Sequence, residues 1–381
     1  MRTKQIIKGL LFSLLFLQIQ STVLAQNVFE NHRTEVYPYL SRMAQKGLVT
    51  IDDYIQPISR QAILMALLEL QKNESNLSKI ERAELNFYLQ EYNTIEGLTN
   101  KDNTKADLLK KDENGRWRTI AIHAKDFQFN IDPIANIQVS SNDGNKINQV
   151  SNGFSLWGAS KNIGFQLYYR DCTETGDLLK LNNFETPNAG NIRVGLSNDN
   201  RLNYSEVRGN ISYSWKNGSV NFGKDNFLWG YGENGRIVAS DKAPSFPYFR
   251  LDYKPLQWLS FNYMHAWLNS NLTDSMRTYN TWTGGVSGDI RVRYISKFLV
   301  THSIKVTPMK GLDLSLGESM VYSDKLDVGF LIPINFFKVY DNNRSNYLIN
   351  AGSNGQIFMQ ASSRNQIKNT HLYTTVFIDE I

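Results

Sequence analysis

Disulfides, long apolar runs and an excess of one charge are the three things this chain has little of, and each shortage closes off a class of protein. One cysteine, Cys172, stands in 381 residues, so no intramolecular disulfide framework is available to hold an exported chain together. It sits between Asp171 and Thr173 with no adjoining His or Lys, which reads as an incidental loop thiol and not a reactive one. Past the first 25 residues no apolar run approaches the ~20 residues of a spanning helix. The five histidines, His32, His123, His265, His302 and His371, are dispersed without metal-ligand spacing. No fixed-period repeat is visible, which argues against a solenoid or propeller.

The charge balance is modest once the N-terminus is read. Arg2, Lys4 and Lys8 precede an apolar stretch from Leu10 to Leu17, and Val23-Leu24-Ala25 forms a small-residue exit before Gln26. That is the layout of a cleavable secretory signal over residues 1–25. No cysteine lies near the exit, so a lipid-modified N-terminus is not expected. The segment carries three bases and no acid, so the formal charge of +5 falls to +2 without it. A nucleic-acid partner argued from basicity is thereby sharply weakened, and none is expected.

What the chain does have is aromatic residues and two successive periodicities. Tyr, Phe and Trp number 19, 20 and 7. Residues 26–93 read as a helical region. Val36, Leu40, Met43 and Ala44 recur at helical spacing before Gly47, Ser59 stands ready to cap a helix carrying Ile63, Leu64, Leu67 and Leu68, and Ser78-Lys79-Ile80-Glu81 is a capping box. Leu85, Tyr88, Leu89 and Tyr92 continue the third stripe. Residues 94–116 are polar and charged and read as a linker.

From residue 117 to 381 the period becomes two. Phe127, Phe129 and Ile131 alternate with Gln128, Asn130 and Asp132; Ile163, Phe165, Leu167 and Tyr169 with Gly164, Gln166 and Arg170; Val207, Ile211, Tyr213 and Trp215 with Arg208, Asn210, Ser212 and Ser214. Lys216-Asn217-Gly218-Ser219 supplies a tight turn. Later segments around Leu259–Trp267, Phe298–Val306 and Leu312–Met320 repeat the pattern. The segments run roughly 9–13 residues, enough to cross a bilayer when tilted, whereas sandwich strands average about 5–6. Aromatic pairs at segment ends, Tyr213/Trp215 and Trp258/Trp267, suit a lipid–water boundary. The expectation is an all-β transmembrane antiparallel β-barrel with a small N-terminal helical region, in an outer membrane.

The strongest motif for chemistry is Gly230-x-Gly232-x-x-Gly235. It matches a dinucleotide fingerprint literally, but Pro244 and Pro247 follow where a helix N-terminus is required, so no cofactor is expected. Trp229, Tyr231, Glu233, Asn234 and Arg236 in the same segment combine aromatic faces with planar hydrogen-bonding groups, the mixture that suits a sugar. The competing and favoured reading is a structural loop whose glycines supply unusual dihedral angles. Asp171, Glu174 and Asp177 lack the dense oxygen pattern of a calcium loop and read as solvated turns. No Gly-x-Ser-x-Gly elbow or Cys/His pairing points to a nucleophile, so neither a catalytic residue nor a metal is expected.

Four stretches carry a family resemblance: Val36-Tyr37-Pro38-Tyr39-Leu40-Ser41-Arg42-Met43-Ala44-Gln45-Lys46-Gly47-Leu48; Asn226-Phe227-Leu228-Trp229-Gly230-Tyr231-Gly232 with Ala243-Pro244; Val300-Thr301-His302-Ser303-Ile304-Lys305-Val306 leading to Leu312–Ser323 with Glu318; and His371-Leu372-Tyr373 with Phe377-Ile378-Asp379-Glu380. In this order they resemble the Wzi family of capsule-assembly outer-membrane proteins, in particular its Bacteroidetes-type members. The resemblance implies a monomeric outer-membrane barrel with a periplasmic helical portion and outer loops that hold capsular polysaccharide, acting as a non-catalytic surface lectin. It brings no catalytic residues. The chain departs from the pattern in its strand number, about a dozen against a larger family barrel, and in ending on Ile381 and not on an aromatic residue. That departure reads as a barrel incomplete at its C-terminus. The rival functions are a porin-like channel and, third, a surface carbohydrate-active enzyme.

Overall fold

The computed structural model describes residues 28–93, 105–112, 115–124, 126–177, 179, 201–233, 235–240, 242–281, 289–344 and 353–380. The leader reading over 1–25 and most of the linker reading lie outside these residues.

Three helices form where the apolar stripes predict them. Helix α1 spans Val36–Gln45, α2 spans Arg60–Lys72 and α3 spans Lys79–Tyr92. The Ser59 side chain accepts from the Ala62 N–H at the start of α2. At α3 both halves of the capping box are made, with the Ser78 side chain accepting from Glu81 and the Glu81 side chain accepting from Ser78. Their buried faces share one core that includes Val36, Leu40, Met43, Ile63, Leu67, Leu85 and Leu89.

The remainder is built on one antiparallel sheet of thirteen strands. In chain order its members are β2 (Lys105–Lys111), β3 (Trp117–Ala124), β4 (Phe127–Asn142), β5 (Asn145–Ser160), β6 (Ile163–Thr175), β7 (Arg201–Trp215), β8 (Gly218–Asp225), β10 (Phe246–Leu256), β11 (Leu259–Thr273), β14 (Tyr294–Met309), β15 (Leu312–Ser323), β16 (Asn354–Arg364) and β17 (His371–Ile378). Each pairs with the next, and β2 and β17 are the two edges among the described residues. Two short pairs lie apart: β1 (Ile55–Gln56) with β9 (Leu228–Trp229), and β12 (Tyr279–Thr281) with β13 (Asp289–Arg291). No helix among the described residues is long and apolar enough to cross a membrane.

Several local expectations are corrected. The sheet begins at Lys105, inside the stretch read as linker, because Lys105–Lys111 pairs with β3 despite its charge. Cys172 is not in a loop. It lies within β6, fully buried beside Leu202 and Tyr204. Asp171 and Glu174 are in the same strand, and the Glu174 carboxylate accepts from Gln149 and Tyr204 at 3.0 and 2.8 Å. The tight turn after β7 falls at Lys216-Asn217, since Trp215 already faces Gly218.

The sheet's polarity is inverted relative to a water-soluble sandwich. Along β7, Leu202, Tyr204, Glu206, Arg208, Asn210, Ser212 and Ser214 are buried, while Val207, Ile211 and Tyr213 are exposed. Elsewhere Gln128, Asn130, Ser303, Lys305, Ser315, Gln360 and Arg364 are hidden, while Ile163, Phe222, Ile304, Leu316 and Met359 are open. Hiding charge costs free energy unless it is paired, and here it is paired. Arg170 meets Glu206 at 2.7 Å, Arg208 meets Asp225 at 3.3 Å, and Arg250 meets Asp252 at 2.8 Å.

Connections also separate by length. Those joining β3–β4, β5–β6, β7–β8, β10–β11 and β14–β15 are two residues each. All five lie at one end, with the β16–β17 turn. The long connections β6–β7, β8–β10, β11–β14 and β15–β16 leave from the other end, which also carries the β2–β3 connection and the two-residue β4–β5 turn.

Candidate functional site

The hidden polar face is occupied by the chain itself. Between α1 and α2 an extended strap carries Asp52, Asp53, Tyr54 and β1 across it. Arg364 donates to both Asp53 oxygens, at 2.8 and 2.7 Å. Lys305 pairs with Asp52, and Arg250 donates to the Pro57 carbonyl at 3.0 Å. Burial disfavours the charge on Asp53, but the Arg364 guanidinium and its hydrogen bonds outweigh that and hold the carboxyl below its usual range. The strap is therefore anchored on β10, β14 and β16.

The helices extend this anchoring to both flanks of the sheet. Gln45 donates to the Asn369 carbonyl in the β16–β17 turn at 2.9 Å, and Lys310 of the β14–β15 turn faces Glu69. On the opposite flank Glu91 of α3 pairs with Arg116 and Arg118, each at 3.1 Å. Arg60, buried at the start of α2, pairs with Glu30 and Glu91 and lies 4.6 Å from the ring centroids of both Tyr92 and Trp157. The helical region thus meets the β14–β15 and β16–β17 turns and reaches across the sheet to the start of β3.

The β8–β10 connection folds inward to meet the strap. Leu228 and Trp229 pair with Gln56 and Ile55, and Trp229 contacts Tyr54 and Phe358 edge-on at 6.1 and 6.3 Å. Gly230 has a φ of +112° and lies so close to Gln360 that a Cβ would meet its amide at 2.9 Å. This is the close approach that requires glycine. The segment then reaches His371 and Tyr373 of β17, where the Glu233 N–H donates to the Tyr373 hydroxyl at 3.4 Å.

That geometry corrects part of the sugar-binding expectation. Trp229 and Tyr231 are 1% and 4% exposed within a core that includes Tyr54, Tyr248 and Phe358, so no ring face is free to stack on a sugar. Glu233 and Arg236 remain at the wall of a polar cavity of about 430 Å³ that also involves Arg42, Gln56 and His371. Asn234 lies outside the described residues.

Sequence reading missed the aromatic surface at the long-loop end. In the β11–β14 connection the β12–β13 ribbon presents Tyr279, and Tyr294 follows at the start of β14; they are 48% and 55% exposed. Beside them Arg277 pairs with Asp274 and Asp324. Unpacked aromatic faces next to planar hydrogen-bonding groups are the combination that the buried Trp229 segment lacks. The signal available in sequence was the mixed run from Arg277 to Thr281, which has no strand-length period to draw attention to it.

No family model matches the chain, and no curated protein matches it significantly in sequence.

Proposed function

We propose that this chain is an outer-membrane β-barrel protein that holds capsular or other surface polysaccharide without catalysis, its interior closed by its own N-terminal region. The observation that carries the membrane reading is the inverted sheet. A surface that hides Glu206, Arg208 and Asn210 and shows Val207, Ile211 and Tyr213 is suited to a hydrocarbon surround and a polar interior. Aromatic Tyr213, Tyr253 and Trp258, exposed toward the short-turn end, fit a boundary girdle. In such barrels short turns face the periplasm and long loops the exterior; on this reading the helical region is periplasmic and the Tyr279–Tyr294 surface faces outward.

The strap and the infolded β8–β10 connection favour a holding role over conduction. Both cross the polar face; the strap is tied to it by ion pairs, and the β8–β10 connection pairs with the strap along the backbone. The resemblance to the Wzi family and the exposed tyrosines supply the sugar. Purified protein in detergent, titrated with capsular polysaccharide from the producing cell, is expected to bind, and the double variant Tyr279→Ala/Tyr294→Ala to lose at least about tenfold in affinity, the scale of two lost aromatic contacts. Steady conductance steps from wild-type protein in planar bilayers, with no polysaccharide binding, would favour a channel.

A further inference from the structure

Where the outer face of the sheet should be most apolar, it carries a carboxylate. The register aligns Tyr263, His302 and Glu318 across β11, β14 and β15. One step along the strands toward the short turns, the same face shows Ile304 and Leu316, 53% and 57% exposed. One step the other way it holds His265, Val300 and Met320, all fully buried. Those residues are covered by the chain between β15 and β16, a 3₁₀ turn at Val328–Leu331 followed by helix α4 at Phe337–Arg344.

The cover is fitted to the polar groups beneath it. The Glu318 carboxylate accepts from the Phe337 and Lys338 N–H groups at 2.9 and 2.6 Å, satisfying free donors at the start of α4. His302 Nδ1 donates to the Pro333 carbonyl at 3.0 Å, and the Tyr263 hydroxyl donates to the Phe330 carbonyl at 2.8 Å. Phe330 and Phe337 point inward and are buried. The opposite side of the same segment is apolar: Val328, Ile332, Ile334, Phe336 and Val339 are between 50% and 80% exposed.

We propose that residues 324–344 form a flap lying on the barrel's outer wall with its own apolar side in the bilayer. The inference rests on the outer-membrane reading. The occupant of the exposed side is lipid hydrocarbon, because that side continues the apolar surface of Ile304 and Leu316, and a water-exposed loop gains nothing by presenting five large apolar side chains. The flap removes a carboxylate and two histidine rings from hydrocarbon contact, where unpaired polar groups cost several kcal/mol, and replaces them with aliphatic surface. It is thus a lipid-facing seal and not a glycan loop.

Nitroxide labels in liposomes test this, in a Cys172→Ala background. Labels placed by Phe336→Cys, Ile304→Cys and Met276→Cys are compared for relaxation by oxygen and by a water-soluble nickel chelate. The expected result is that positions 336 and 304 are both oxygen-accessible and nickel-protected, while position 276, 92% exposed in the β11–β14 connection, is nickel-accessible. A nickel-accessible label at 336 beside a protected one at 304 overturns the flap and leaves the barrel standing. Nickel access at 304 overturns both.

Discussion

Single residues divide into those that hold the interior together and those that remain free to meet a partner. Trp229 belongs to the first group. Trp229→Ala is expected to cost about 3–5 kcal/mol of stability, the usual penalty for emptying a packed aromatic site, read by denaturant unfolding, with sugar affinity unchanged in the molecules that fold. Arg364→Ala leaves the Asp53 carboxylate buried without its partner and is expected to destabilise by about 3–5 kcal/mol; Asp53→Asn combined with it should recover part of that loss. His32 provides a pH test. Burial, followed by the nearby charges of Arg33, Arg208 and Arg236, lowers its pKa to about 3. The unfolded chain therefore binds the proton first, at the ordinary value near 6.5, so stability is full above that value and declines as pH falls toward 3. Asp53, depressed by Arg364, adds a loss only below the ordinary carboxylate range. His32→Leu is expected to flatten the decline between pH 6.5 and 4, and an unchanged slope would remove His32 from the account. At this scale the sequence was a poor guide to contact. Trp229 and Tyr231 have the chemistry of a sugar platform, but nothing in their spacing reveals that Tyr54 and Phe358 close over them. Cys172 likewise reads as a loop thiol because its neighbours Asp171 and Thr173 are polar; both lie on the face of β6 opposite the thiol, which turns to the buried side beside Leu202 and Tyr204.

Elements were more legible than residues, because their signals are local. The Ser78-x-x-Glu81 box, the Ser59 cap and the apolar stripes of the three helices all depend on residues within four positions of one another, and all are formed. Ser78→Ala should cost about 1 kcal/mol, seen as lower protection of the first turn of α3 in hydrogen exchange, where the Glu81 N–H loses its acceptor. Strand alternation was equally readable in β4, β6, β7, β11, β14 and β15. It was less so in Lys105–Lys111, where lysines on both faces mask the period, and in β9, whose two residues are too few to show one. The strap and the infolded β8–β10 connection were invisible for a different reason. Their partners, Arg364 and Gln360, lie far along the chain, and charge pairing at that separation leaves no local pattern.

For the molecule as a whole, the sequence supported the class of fold through the length and alternation of its segments, and the structure adds which face is which. Polar residues that a strand pattern shows only as alternating turn out to be the buried ones, and they meet the helical region through Asp52, Asp53 and Glu91. The long loops all leave from one end of the sheet, which gives it a direction, with the helical region meeting turns at the other end and the exposed tyrosines on a long connection. The central claim is that this inverted sheet stands in a bilayer. Its most direct test is a label scan of β7 in liposomes, from position 204 to 214, recording oxygen and nickel-chelate accessibility at each. The account predicts a two-residue period, with 205, 207, 211 and 213 open to oxygen and closed to nickel, and 206, 208, 210 and 212 shielded from oxygen by the filled interior. Nickel access at Val207, Ile211 and Tyr213 would contradict it, and would mark the apolar face as one turned to water.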